Sequence, residues 1–211
     1  MLYTETVSSS TLELLKRIMN DPKMNSFVLV GGTALALQIG HRISVDIDLF
    51  CYEDFAANQL REYLESEYTF ETDFIAENTL KGEIEGIQID CITHKYPWIE
   101  PFNNYNDIRT ASIEDICAMK LNAIAGNGTR IKDFIDIAYL SLKHSLSDML
   151  GFYEKKYSSN TLMPLKALVF FEDVNTKEPV NMMNREKINW NKIKKRMIEM
   201  EQNPNKVFSN I

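Results

Sequence analysis

A pair of glycines and a pair of aspartates are the residues of this chain whose types and spacing could do chemistry together. Gly31 and Gly32 follow a short apolar run at residues 27–30 and precede a run of helix formers at residues 33–37. A glycine turn between a strand and a helix N-terminus presents backbone N–H groups and the positive end of the helix dipole. Such a turn attracts anions, so it predicts a phosphate site.

The two aspartates lie in the segment 45–50, where apolar and acidic residues alternate. This alternation predicts a strand in which Asp46 and Asp48 point to the same face. Two carboxylates on one face repel each other unless a cation lies between them, and carboxylate and phosphate oxygens are the ligands that Mg²⁺ prefers. A solvated edge strand is the alternative interpretation, but the glycine turn upstream favours a metal site.

A third acid, Asp90, lies in a predicted strand over residues 87–93. It shares a face with Gln88 and Ile92, while the residues that alternate with them face the other way. A charged residue in a central strand indicates function, whereas a carboxylate at a sheet edge would not.

Lys120 is the most unexpected residue of the helical second half of the chain. Ser112 and Asp115 have the spacing of a capping box, and the helix after them carries an apolar stripe. The members of the stripe are Ile113, Ile116, Cys117 and Ile124. At about 3.6 residues per turn, Lys120 falls inside this stripe. Its ammonium must therefore reach solvent along an extended stem or pair with a buried anion.

The next predicted helix has Arg130, Asp133 and Asp136 at intervals of three residues. On a solvated surface such a row would form ion pairs worth roughly 0.2–0.5 kcal/mol each. The inward stripe of this helix is predicted to consist of Ile131, Phe134, Ile135 and Ala138.

The chain resembles the AbiEii/AbiGii toxin family, within the DNA polymerase β-type nucleotidyltransferase superfamily. The resemblance rests on the glycine segment 31–35 and on Gly-His-Arg-Ile-Ser-Val-Asp-Ile-Asp-Leu-Phe at residues 40–50. It extends over residues 120–140 and is suggested again around residues 170–190. Arg42 and Ser44 also match the family pattern, although Arg42 could simply pair with a carboxylate and brace the strand.

The resemblance assigns roles to the residues already singled out. It implies Asp46, Asp48 and Asp90 as metal ligands, with Asp90 as either a ligand or a general base. It implies Lys120 and Asp133 as further catalytic residues, Asp133 because Arg130, Lys132 and Asp133 match a lysine–aspartate motif of the family. The implied nucleotide-binding residues are Gly31, Gly32, Thr33, Lys120, Arg130 and Lys132.

The function implied by the resemblance is Mg²⁺-dependent transfer of a nucleoside monophosphate from an NTP to an acceptor. The implied acceptor is RNA, at the 3′ end of tRNA, and the implied role is the toxin of a toxin–antitoxin or abortive-infection system with a cognate antitoxin. One alternative is transfer to a small molecule such as an aminoglycoside. The other is a non-enzymatic module regulated by nucleotide, against which the intact glycine and aspartate pairs argue.

Charge is distributed unevenly along the 211 residues, whose net charge is −7. Residues 151–211 contain 11 Lys and Arg against 7 Asp and Glu, a balance of +4, which leaves 12 against 23 and a balance of −11 for residues 1–150. The basic part could hold RNA, although a charged solvent face is the simpler explanation of so modest a balance. No leader or membrane-spanning run is visible, so we expect a cytoplasmic protein without a membrane partner, in which Cys51, Cys91 and Cys117 are buried reduced thiols.

The predicted elements form an α+β protein. A small mixed sheet flanked by helices, with the nucleotidyltransferase fold, is predicted over residues 1–106 as the catalytic domain, and a mainly helical lobe over residues 107–211 completes the active site. The N-terminal part has predicted helices at residues 11–20 and 55–66 and strands at residues 70–76 and 83–93, with breaks at residues 81–82 and 85–86 and a connection at residues 97–106. An amphipathic helix with Trp190, Ile193, Met197 and Met200 on its apolar face is predicted near the C-terminus.

Overall fold

The computed structural model describes residues 2–184 and 187–211, and their backbone forms two units. The N-terminal unit comprises the chain up to Pro97 together with Pro101–Ala111, and the C-terminal unit comprises Trp98–Glu100 together with Ser112–Ile211. The contact boundary therefore lies after Ala111, whereas the predicted functional boundary lies after residue 106. Within the described residues, no helix is long and apolar enough to cross a membrane.

The N-terminal unit contains three α-helices and seven strands among its described residues. The helices are α1 Ser9–Asn20, α2 Gly31–Ile39 and α3 Ala57–Tyr68. The strands are β1 Val28–Leu29, β2 Ile47–Cys51, β3 Glu71–Ala76, β4 Thr79–Ile84, β5 Ile87–Thr93, β6 Asn103–Tyr105 and β7 Ile108–Thr110.

All of these strands join one mixed sheet in the order β3-β4-β5-β2-β1-β7-β6. The pairs β2/β5 and β1/β7 are parallel and the other pairs are antiparallel. Burial alternates along β2, where Ile47, Leu49 and Cys51 are buried and the residues between them are half-buried. The sheet therefore has an apolar face toward the core and a polar face that carries Asp48, and the predicted α+β class is confirmed.

Two local predictions for this sheet are wrong. Lys81 and Gly82 do not break a strand but lie inside β4, and the turn falls instead before Thr79, where Asn78 has a φ of 56°. A side chain at position 82 would collide with the Glu71 carbonyl and the Phe70 ring, so glycine is needed there for close approach rather than for a turn. The predicted connection at residues 97–106 likewise contains β6, because Asn106 and Asp107 both have positive φ and close a β6–β7 hairpin.

Asp21, just after α1, anchors the end of that helix to α3. Its carboxylate accepts hydrogen bonds of 2.7 Å from both Tyr63 and Tyr68 and one of 2.8 Å from the Lys23 amide. Burial raises the pKa of Asp21, but the bonds from the tyrosines and the amide outweigh it and hold the pKa below its ordinary value of 3.8. The ionised carboxylate therefore stabilises the folded state.

We expect Asp21→Asn to lower the free energy of unfolding by about 1–3 kcal/mol at neutral pH, because hydrogen bonds to a charged acceptor are lost. A group with a lowered folded-state pKa contributes its stability above its unfolded pKa and loses it as the pH falls through the folded value. The difference between parent and variant should therefore shrink below about pH 4. Urea unfolding followed by far-UV circular dichroism at several pH values measures it, and a difference that stays constant into acid would contradict this explanation.

The C-terminal unit is helical, as predicted. Its helices are α4 Ile113–Gly126, α5 Ile131–Leu140, α6 Leu146–Tyr157, α7 Leu162–Leu168 and α8 Trp190–Gln202. The predicted inward stripe of α5 is buried, and so are Ile193, Met197 and Met200 of α8. All three cysteines of the chain are buried free thiols, and burial raises the pKa of Cys91 and of Cys117.

A buried ion pair fastens Trp98–Glu100 to this helical unit. Ser112 caps α4 by accepting a 3.0 Å hydrogen bond from the Asp115 amide. The Asp115 carboxylate accepts hydrogen bonds from the Ser112 hydroxyl and from the backbone amides of Ile99 and Glu100. Lys156 lies 2.7 Å from the Asp115 carboxylate, and both side chains are fully buried. Burial lowers the pKa of Lys156, and the carboxylate partly offsets that effect.

Candidate active site

The glycine turn meets Asp48 because β1 and β2 are antiparallel neighbours. Leu29 pairs with Leu49, and the Val30 amide donates a 2.9 Å hydrogen bond to the Asp48 carbonyl. The next residue along the chain, Gly31, therefore lies beside Asp48. It has a φ of 69°, and a Cβ at this position would collide with the Asp48 carboxylate, whose Cγ would be only 3.0 Å away. Glycine is thus required both by the backbone conformation and by the carboxylate.

The N-terminus of α2 begins at this turn. Val30 occupies the capping position and provides no side-chain hydrogen bond to the helix. The first amides of a helix have no partner within the helix, so they are available to an anion beside the Asp48 carboxylate. A phosphate chain on these amides would lie next to the candidate metal ligands.

Gly31→Ala is expected to reduce both stability and transfer activity. A left-handed conformation costs a residue with a Cβ about 1–2 kcal/mol, and the displaced Asp48 carboxylate adds to this cost. Gly151→Ala is a matched control, because Gly151 lies inside α6 and a Cβ added there would meet no neighbouring group within 4 Å. That control should gain about 0.5–1 kcal/mol. Urea unfolding and transfer rates measured on both variants test the requirement, and an alanine at position 31 that leaves both quantities unchanged would refute it.

Buried polar side chains lie against the glycine turn. Thr33 donates a short hydrogen bond to the Asp46 carbonyl, and its hydroxyl lies 2.9 Å from that of Ser44. Arg42 is buried and donates to the Ile43 carbonyl, and a Cβ on Gly32 would lie 2.5 Å from its Nη2. The side chains of Thr33 and Arg42 therefore fix the glycine turn against the Asp46 segment.

The structure places Asp90 next to Asp48. In the parallel β2–β5 pair, Asp48 and Asp90 are direct partners, so the two side chains leave the same face of the sheet about 4.8 Å apart at the backbone. Asp90 also pairs with Lys81, its direct partner on β4. The sequence does not predict this role of Lys81, because Lys81 and Gly82 together resemble a break between strands.

A metal ion at this face would draw on a small set of ligands. Among residues 2–184 and 187–211, no three His, Cys, Asp or Glu side chains are arranged to hold a metal. Mg²⁺ commonly takes only one or two carboxylates together with substrate phosphates, and Asp46 and Asp48 beside the glycine turn fit that donor set. In this structure Asp90 is turned to Lys81 instead.

The second group of candidate residues lies in the C-terminal unit. Lys120 is buried, and its Nζ is 2.7 Å from both Asp133 and Asp136. The ammonium therefore reaches a buried anion rather than solvent. The two aspartates are 2% and 0% exposed, so the alternative of a solvated ion-pair row is wrong for them. One oxygen of Asp133, Oδ2, is buried without a hydrogen-bond partner in the part of the chain that the structure describes.

The basic candidates beside this cluster lie nearer the surface. Arg130 is exposed and occupies the N-cap position of α5 without a side-chain hydrogen bond to the helix. Lys132 is half-buried and pairs with Glu178 at 2.8 Å. Glu178 follows Asn175, whose amide donates a 2.7 Å hydrogen bond to the Thr129 carbonyl. The start of α5 is thus tied to the segment that follows α7.

Comparison with known proteins agrees with this geometry. The protein family described as nucleotidyl transferase AbiEii toxin of type IV toxin–antitoxin systems matches residues 13–105 and 86–208. An uncharacterised protein of Aquifex aeolicus strain VF5 is 32% identical over 168 residues, which cover 76% of this chain and 81% of that protein.

Solved structures share the fold at low sequence identity. The nucleotidyltransferase toxin MenT4 of Mycobacterium tuberculosis H37Rv aligns with a TM-score of 0.58 at 12% identity, covering 92% of this chain and 84% of that one. JHP933 of Helicobacter pylori aligns with a TM-score of 0.51 at 17% identity, covering 94% and 93%. The fold, the glycine turn against Asp48 and the match along most of the sequence lead to one conclusion: the chain is a nucleotidyltransferase and belongs to the AbiEii toxin family.

Proposed function

We propose that this enzyme transfers a nucleoside monophosphate from an NTP to an RNA acceptor in a Mg²⁺-dependent reaction. The observation that carries the proposal is the contact between Gly31 and the Asp48 carboxylate. At this contact, backbone amides that can bind a triphosphate lie beside a carboxylate that can bind a metal ion.

In the proposed mechanism the amides at Gly31 and Gly32 would hold the triphosphate, and Asp46 and Asp48 would hold the metal ion. Mg²⁺, when bound, would act as a Lewis acid that stabilises charge on the phosphate oxygens. An acceptor hydroxyl forms a bond to the α-phosphorus, the bond to the β-phosphate oxygen breaks, and pyrophosphate leaves. Asp90 lies on the same face and is proposed to take the proton of the hydroxyl or to serve as a further ligand.

For the C-terminal unit we propose that Asp133 is the functional group and that Lys120 orients it. The Lys120 ammonium already contacts two carboxylates, which favours orientation of Asp133 over direct contact with a triphosphate. The buried Oδ2 of Asp133 is an acceptor whose desolvation costs about 1–3 kcal/mol unless a donor reaches it. Because this oxygen is buried, the proposed donor is an ordered water between Asp133 and the substrate. Arg130 and Lys132 remain proposed phosphate contacts.

The proposed biological role is the toxin of a toxin–antitoxin pair, with the 3′ end of tRNA as acceptor and a cognate antitoxin as partner. The family description supports the role of toxin, and MenT4 is likewise described as a nucleotidyltransferase toxin. The basic balance of residues 151–211 suits a polyanionic acceptor.

The experiment that tests the proposal identifies the acceptor by following a labelled nucleotide. The protein is incubated with Mg²⁺ and each α-labelled NTP, together with purified tRNA, total RNA, protein extract or aminoglycosides in separate reactions. Label in the tRNA band that disappears when the 3′ end is blocked supports the proposal. Label only in an aminoglycoside would replace RNA by a small molecule, and absence of transfer to any acceptor would contradict the proposed reaction.

A further inference from the structure

Lys81 forms a charge contact on the polar face of the sheet. It is the direct β4 partner of Asp90 on β5, and its Nζ pairs with Asp90 Oδ2. The Lys81 side chain is 39% exposed and that of Asp90 is 25% exposed. The ammonium therefore sits at the rim of the candidate metal face, on a stem that can swing into solvent.

The position of Lys81 matters because Asp90 is also the direct partner of Asp48 on β2. Lys81, Asp90 and Asp48 thus follow one another in register across three neighbouring strands. Without a counter-ion, two carboxylates at adjacent positions of one face repel each other. Lys81 supplies a counter-ion to Asp90.

We propose that Lys81 is a displaceable counter-ion of Asp90, which holds this carboxylate in place until a divalent cation replaces it. This inference rests on the proposed function, because it takes the Asp48 face as the metal site. An ammonium and a divalent cation on the same carboxylate repel each other, so Lys81 opposes metal binding. A partly exposed ion pair contributes little stability, so Lys81 can be released readily. Lys81 is therefore a positioning residue that acts through Asp90.

The test is binding of Mn²⁺ alone, without nucleotide, measured by electron paramagnetic resonance. Lys81→Met should bind Mn²⁺ about 2–5-fold more tightly than the parent, because the ion no longer has to displace an ammonium from Asp90 and a partly exposed ion pair is weak. Lys81→Gln should behave in the same way and serves as a second neutral variant if the first folds poorly. Lys81→Arg keeps the charge and should bind Mn²⁺ with the affinity of the parent.

Lys95→Met is the matched control. Lys95 forms a 2.7 Å ion pair with Asp54 in the same unit, and both of these side chains are more than half exposed. The same change of charge there should leave Mn²⁺ affinity unchanged. In an Asp90→Asn background, Lys81→Met should also have no effect, because the residue through which Lys81 acts has been removed.

Two outcomes would overturn the inference. If Asp48→Asn abolishes Mn²⁺ binding while Lys81→Met binds as the parent does or more weakly, the metal site stands and the role of Lys81 is refuted. If neither the parent nor Lys81→Met shows Mn²⁺ binding that depends on Asp48, the proposed metal site fails, and the inference fails with it.

Discussion

Asp48→Asn is expected to reduce nucleotidyl transfer by about 10²–10³-fold, the usual cost of removing one charged element that stabilises a transition state. The fold should persist, because asparagine has the same shape as aspartate and still fits against Gly31. Removal of one of two neighbouring carboxylates also relieves repulsion with Asp90. Single-turnover rates and thermal midpoints measured on the same preparations check both parts of the prediction.

Asp73→Asn is the control for this prediction. Asp73 is exposed on the edge strand β3 of the same sheet, and its substitution removes the same charge as Asp48→Asn does. Its transfer rate should equal that of the parent. An Asp48→Asn protein that still transfers nucleotide at the parent rate would remove Asp48 from the proposed metal site.

The residues around Asp48 could be predicted because the signals that place them are local. Alternation of apolar and acidic residues marks one strand, and two glycines between a strand and a helix former mark one turn. Only the pairing of β1 with β2 was needed to bring them together, and these strands are separated by a single helix. The family resemblance depends on the same short segment.

Contacts between distant strands and helices could not be predicted in this way. The partnership of Lys81 with Asp90 depends on the register of β4 with β5, and Gly82 next to it looks like a turn residue in the sequence. Glycine is needed at position 82 because Phe70 and the Glu71 carbonyl occupy the space that a side chain would take. Lys156 and Asp115 are 41 residues apart, and no local pattern links them.

The surroundings of Lys120 could be predicted only in part. The helical period places a lysine inside an apolar stripe, so the sequence predicts a buried anion or a route to solvent. It cannot choose between them, because the carboxylates of Asp133 and Asp136 come from the next helix. Asp136, which the sequence did not mark as a site residue, contacts Lys120 at the same distance as Asp133 does.

Lys120→Met is expected to lower the free energy of unfolding by about 3–5 kcal/mol, because it leaves two buried carboxylates without their cation. Both tryptophans of the chain, Trp98 and Trp190, lie in the C-terminal unit, so urea unfolding followed by tryptophan fluorescence reports on this unit. Transfer activity should also be lost, since Asp133 is no longer oriented. Activity must be compared at a temperature at which the variant is folded.

Lys156→Met separates stability from function in the same unit. It removes the other buried lysine, but Asp115 keeps its hydrogen bonds from Ile99, Glu100 and Ser112, so the loss of stability should be smaller. Folded Lys156→Met protein should transfer nucleotide as the parent does. Equal loss of activity per folded molecule in Lys120→Met and Lys156→Met would show that destabilisation alone explains both.

A variant that neutralises the whole Lys120 cluster completes the test. Lys120→Met combined with Asp133→Asn and Asp136→Asn leaves no buried charge uncompensated, so most of the lost stability should return. Transfer should not return, because the variant lacks the Asp133 carboxylate, which is proposed to act on the substrate through a bound water. A stable triple variant with the transfer rate of the parent would make the cluster a structural element of α4 and α5 without a role in transfer.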